Sequence, residues 1–170
     1  QNKGFGWAIH TLKALPTDIR SRLQLVCIGT RNAIAADALE GFEVYWAGYV
    51  QDQRLLSILL NAADMLLYPS MADNQPLAVI EALASATPVF AFDTGGIAEI
   101  LGDDAGIAVP RKDVLALATA ITGAVQSGSL AALSQAARLR AESHFSRDRM
   151  AADCITLYRQ MLHAAESAEP

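Results

Sequence analysis

Five short apolar blocks, rich in β-branched and aromatic residues, recur at residues 23–29, 44–50, 65–70, 88–93 and 106–110, and helix-period segments separate them. Each block is short enough for a strand and reads as a continuous apolar run rather than an alternation. That pattern belongs to parallel strands buried on both faces, which need a crossover helix between each pair. The spacing predicts helices at 7–15, 31–39, 52–62 and 76–85 and a short one at 97–101. The order is α/β, a Rossmann-like doubly wound parallel sheet. Sparse aromatics, at 6%, and abundant alanine suit close helix-on-sheet packing rather than a β-sandwich.

After residue 110 the strands stop, and helical periodicity takes over at 114–126, 130–143 and about 147–165, with Gly128 and the polar stretch 143–146 as breaks. No repeat or internal linker interrupts the chain. The expected organisation is one Rossmann-like domain over 1–146 and a C-terminal helical tail over 147–170. A doubly wound sheet places its first strand centrally, ahead of a loop such as 2–6 and the helix that follows. Here the chain opens on that loop, so the first strand is expected to be missing and the chain to be cut from a larger protein.

Composition narrows the partners. Of 170 residues, 13 are Lys or Arg and 18 Asp or Glu, a net charge of −5, so there is no basic field for a nucleic-acid backbone or a polybasic membrane surface. Cys27 and Cys154 are too few for a disulfide scaffold, which makes reduced, cytosolic thiols the expectation. No apolar run approaches the ~18 to 20 residues of a membrane span.

The densest chemical signal runs from Tyr68 to Glu99. A strand leads into a loop with Ser70, Asp73 and Asn74, and a helix opens at about Pro76, where the missing proline N–H would be unsatisfied in any case. Free amides at such a helix start, outside the carboxyl edge of a parallel sheet, form an anion site whose natural guest is phosphate. Glu81 is the only charge between Pro76 and Ala86. At about 100° per residue it shares a face with Leu77, Ala78, Ala84 and Ser85, while Val79, Leu83 and Ala86 turn away. A carboxylate among small side chains can accept two hydrogen bonds from a vicinal diol. A plain surface glutamate on an alanine-rich helix is an equally weighted reading.

Other chemistries find little support. His10, His144 and His163 lie on separate segments without zinc-like spacing, and there is no Asp-x-Asp pair, so no metal site is expected. Ser70 lacks the Gly-x-Ser-x-Gly elbow of a hydrolase nucleophile. Gly95-Gly96 reads as a turn on the phosphate or sugar side of a ligand.

Asp73, Glu81-Ala82, Pro88-Val89 and Gly95-Gly96-Ile97-Ala98-Glu99 together resemble the signature of group 1 (family 4) glycosyltransferases, the two-Rossmann-domain GT-B enzymes, and Asn2-Lys3-Gly4 looks like the family's Lys-Gly phosphate loop. The similarity runs over essentially the whole chain, as the carboxyl-terminal, donor-binding half of such an enzyme. By that resemblance Lys3 and Gly4 meet the donor diphosphate and Glu81 the ribose hydroxyls. Asp73 stands at the donor sugar as the catalytic carboxylate, and Asn74, Gln75, Pro76 and Leu77 bring backbone groups to sugar and phosphate. The base lies near the loop after the 44–50 strand.

The resemblance further implies a retaining sugar transfer from a nucleotide-diphosphate sugar to a hydroxyl acceptor, a glycan or a lipid-linked one, with no cofactor. It also implies an N-terminal partner domain reached by the final helix. The setting expected for such an enzyme is the cytoplasm, at the inner membrane face through the other domain. A sugar-nucleotide epimerase of the same architecture and a non-catalytic nucleotide-sugar module are the alternatives. Two positions depart from the family pattern. Asp73 is one methylene shorter than the usual Glu, and Ala86 puts a methyl where glycine usually turns the helix into the next strand.

Overall fold

The protein is described by a computed structural model covering residues 4–31 and 33–166. Its elements are α1 (Phe5–Ala14), α2 (Thr17–Arg20), β1 (Gln24–Ile28), α3 (Ala33–Ala38), β2 (Glu43–Gly48), α4 (Gln53–Asn61), β3 (Leu66–Tyr68), α5 (Leu77–Ala84), β4 (Val89–Phe92), α6 (Ile97–Leu101), β5 (Gly106–Val109), α7 (Val114–Ser127), α8 (Leu130–His144) and α9 (Arg147–Glu166). Every expected strand and helix forms close to its predicted bounds. The four-residue α2 is an addition: a single turn after Pro16 is too short to show a period. Pro76 stands one position earlier than expected, as the N-cap of α5, with its carbonyl accepting from Val79 N–H at 3.1 Å.

All strand pairings are parallel, but they form two sheets, a pair β1–β2 and a triplet β3–β4–β5. The doubly wound order 3-2-1-4-5-6 leaves that pair and that triplet when its central first strand is taken out. Strand β4 is buried along its whole length. Phe90 and Phe92 point to one side, where they meet Ile9 and Leu12 of α1 and Leu117 and Ile121 of α7. On the opposite face Val89 and Ala91 meet Val79 and Leu83 of α5, Ile97 and Ile100 of α6, and Ala137 and Ala141 of α8. The period-2 alternation of one strand thus joins two helical layers.

Burial on both faces, expected of all five strands, fails for the first pair. Leu25, Cys27, Val44 and Trp46 pack on the core, whereas Val26, Ile28 and Tyr45 on the other face are exposed, Tyr45 by 63%. α4 lies against α5, and its Leu56 and Leu60 pack with the residues on the Val89 and Ala91 side of β4. Cys27, expected in a buried strand, is half-buried, and Cys154 is exposed.

No single described helix is long and apolar enough to cross a membrane; α7 with the α8–α9 stretch passes that test only as a pair bent by 108°. All of α9 from Arg147 to His163 is exposed, including Met150, Ile155, Leu157, Tyr158, Met161 and Leu162.

Candidate functional site

Three loops converge where the carboxyl ends of β3, β4 and β5 meet the start of α1. Gly4, the N-cap of α1 with φ 78°, lies so close to the turn after β3 that a Cβ would stand 1.8 Å from the Pro69 carbonyl oxygen. Only glycine admits that approach. On the other side, Gly95 and Gly96 press on the same loop: Cβ atoms there would stand 2.1 Å from the Asp73 oxygen and 2.5 Å from the Asn74 oxygen. Gly96 N–H donates to the Asn74 carbonyl at 3.0 Å, and the buried Thr94 hydroxyl donates to the Ser70 carbonyl at 3.1 Å. The loop from Pro69 to Asn74 is therefore gripped from both sides by backbone.

That grip presents the start of α5 outward. No side chain caps this helix end, and Leu77 and Ala78 of its first turn are exposed, an uncapped start of the kind that binds anions. Asp73 is half-buried, and its Oδ2 accepts from the Tyr68 hydroxyl at 2.7 Å, which holds the carboxylate at the end of β3. Glu81 sits half-buried on the outer side of α5, with Leu77 and Ala78 exposed beside it and Val79, Ala82 and Leu83 buried behind.

Two clefts meet at Asn74. One, of about 580 Å³, is lined by Asp73, Asn74, Asp93, Thr94, Gly95 and Arg111. The other, of about 400 Å³, runs from Asn74, Gln75 and Glu99 toward Arg140, His144 and Arg149 at the junction of α8 and α9. Within it Arg140 is committed, donating through Nε to the Ile100 carbonyl at 2.6 Å and so closing the end of α6.

The structure thus brings together Gly4, Asp73, Asn74, Gln75 and the start of α5. It leaves Glu81 outside both clefts, on the flank of that helix. Lys3, expected at the diphosphate, lies outside the described residues. Ser70 is fully buried, which agrees with its rejection as a nucleophile. Among the described residues no three His, Cys, Asp or Glu side chains gather as a metal would need. Sequence reading missed Tyr68, Asp93 and Arg111. All three stand at or just beyond the carboxyl ends of strands, the edge at which open α/β sheets bind ligands, and that rule was the available signal.

Comparison with known proteins gives a consistent picture. The family profile of glycosyl transferases group 1 matches residues 1–127. Among curated relatives, the O-antigen chain mannosyltransferase B of Escherichia coli is 26% identical over 159 residues, covering 89% of this chain and 41% of that protein. The MMP alpha-(1->4)-mannosyltransferase of Mycolicibacterium hassiacum is 29% identical over 168 residues, covering 94% of this chain and 40% of that one. Among solved structures, the sucrose-phosphate synthase of Thermosynechococcus elongatus superposes with a TM-score of 0.75 at 25% identity, over 96% of this chain and 43% of that one. The chain spans about two fifths of the length of each of these three.

Proposed function

Since the chain belongs to the glycosyl transferases group 1, with three quarters of its residues inside the family match, we propose that it is the donor-binding part of an enzyme that moves a sugar from a nucleotide-diphosphate sugar to a hydroxyl acceptor with retention of anomeric configuration. The observation that carries the reading is the gripped Pro69–Asn74 loop, which sets an uncapped helix start beside a half-buried carboxylate at the carboxyl edge of the sheet. An uncapped helix start suits the diphosphate, whose charge grows as it leaves. In this reading Lys3 adds a charge-assisted contact there, Gly4 lets the start of α1 approach, and Glu81 receives the ribose diol. Asp73 faces the oxocarbenium-like sugar, and Asn74, Gln75, Pro76 and Leu77 shape the bend between sugar and phosphate.

No cofactor is called for in this scheme, because lysine and helix amides neutralise the leaving group. The proposed acceptor is a glycan or lipid-linked hydroxyl, held by an N-terminal partner domain onto which α9 crosses, in an enzyme working at the cytoplasmic face of a membrane. Calorimetry of the full-length protein with UDP, GDP and their sugars tests the donor site, and Lys3→Ala should weaken diphosphate binding far more than nucleoside binding. Incubation with the donor that binds separates the chemistries: transfer supports the reading, epimerisation of the donor or neither reaction overturns it.

A further inference from the structure

The cleft between the loops after β3, β4 and β5 holds one guanidinium and two carboxylates that the signature residues do not account for as a group. Arg111 lies two residues past the end of β5, in a turn set by backbone. Asp113 N–H donates to the Pro110 carbonyl at 3.0 Å, Lys112 is in the left-handed region at φ 69°, and the Asp113 carboxylate caps α7 by accepting from Ala116 N–H at 2.8 Å. A left-handed lysine is a costly conformation, retained only where the surroundings enforce it. Although Arg111 lines the same space as Asp73 and Asp93, it makes no ion pair or hydrogen bond with any described residue.

We infer that Arg111 and Asp93 bind the sugar ring of the donor in the cleft they share with Asp73, and so set which sugar is accepted. The inference rests on the donor-site reading above and extends it to residues just past the carboxyl ends of β4 and β5. A lining with two carboxylates and one guanidinium offers acceptors and donors to ring hydroxyls, which are themselves both. The class of ligand is therefore a ring rich in hydroxyls, a hexose. The volume, about 580 Å³, is in the range of small-ligand sites. Asp73 and Asn74 belong both to this cleft and to the loop that presents the start of α5, so a group in the cleft is continuous with one at the helix amides. That continuity favours the donor sugar over the acceptor.

Calorimetry on the full-length protein with UDP, UDP-glucose, GDP and GDP-mannose tests this. In the nucleotide series that binds wild type, Arg111→Ala and Asp93→Asn should each weaken the nucleotide sugar by about tenfold, the loss of one charge-assisted hydrogen bond, and leave the free nucleotide unchanged. Equal weakening of sugar and nucleotide would place these residues on the diphosphate, and no change in either would make them solvated charges; both outcomes overturn the inference alone. If wild type binds neither nucleotide, the donor-site reading falls and this inference with it.

Discussion

The Tyr68 hydroxyl donates a 2.7 Å hydrogen bond to Oδ2 of Asp73, so the last residue of β3 fixes the carboxylate of the loop that follows. A side chain one methylene shorter than the family's usual Glu reaches less far, and a tether to a strand end compensates by removing its freedom. Tyr68 is in this account a positioning residue that acts through Asp73. Tyr68→Phe should lower kcat by about tenfold, the scale of one hydrogen bond to a charged group, while nucleotide affinity stays within about twofold. Steady-state kinetics and calorimetry on the same preparation check it; parallel losses in both would mean that the phenol merely supports the fold.

Ala86 occupies the left-handed region at φ 60°. It is the C′ residue of a Schellman turn, in which Ala86 N–H donates to the Leu83 carbonyl at 3.0 Å and Thr87 N–H to the Ala82 carbonyl at 2.9 Å. The Ser134 hydroxyl donates to the Ala86 carbonyl at 2.7 Å, and Arg138 donates to the Ala84 carbonyl, so α8 holds this turn in place despite its methyl group. Ala86→Gly should remove about 1–2 kcal/mol of strain and lose part of that to the entropy of the unfolded chain, a net gain of about 0.5–1 kcal/mol. A higher urea midpoint with unchanged slope is the expected result, and a lower midpoint would contradict it.

Ala86 also shows what was legible beforehand and what was not. Its departure from glycine could be read from the motif, and the continuous apolar run of β4 announced a buried parallel strand, because both are local in the chain. The grip of Gly4 on Pro69 and the meeting of Arg111 and Asp73 in one cleft depend on which loops the sheet order brings together, and no local pattern carries that. The exposed face of β1–β2 escaped for the same reason: Val26 and Ile28 look as apolar as Phe90 and Phe92, and what distinguishes them is which helices the fold lays against each strand. Glu81 was legible as a lone charge on a helix, and the structure agrees on its flanking residues, with Val79 and Leu83 buried behind it.

Burial pushes the Cys27 thiol above its ordinary value of 9.0. The fold therefore disfavours the thiolate. The stability this contributes is fully present below the ordinary thiol value and is lost as pH rises through the folded one. The stability difference between wild type and Cys27→Ala should accordingly shrink as the pH passes 9.0, the ordinary value. A disulfide reagent at pH 8 should modify the exposed Cys154 well before Cys27. Simultaneous modification in the folded protein would mean that burial does not protect the strand thiol.

α9 presents Met150, Leu157, Tyr158 and Met161 to solvent, more contiguous apolar surface than one helix should leave wet. Docking on a partner domain would cover it. In the isolated chain its amides should exchange far faster than those of α7, whose Leu117 and Ile121 are in the core, and in the full-length protein they should be protected. Strong protection in a monomeric isolated chain would refute the docking role.

Glu81 and Asp73 should divide affinity and catalysis between them. Glu81 lies on a helix whose inner face is fully buried at Val79, Ala82 and Leu83, so its position is rigid and suits a ribose diol that changes little during reaction. Asp73 lies in the loop between β3 and α5, in a cleft wide enough for a sugar ring, and on the proposed reading its carboxylate would meet charge that develops at the anomeric carbon. Contacts that strengthen in the transition state lower the rate constant when removed, whereas uniform contacts mainly raise KM. Glu81→Gln should therefore weaken UDP or GDP binding by about tenfold, roughly 1.4 kcal/mol, with kcat little changed. Asp73→Asn should abolish most of kcat and leave nucleotide binding nearly intact. If Asp73→Asn instead abolishes nucleotide binding and Glu81→Gln changes nothing, the roles are reversed and the diol sits at the loop carboxylate.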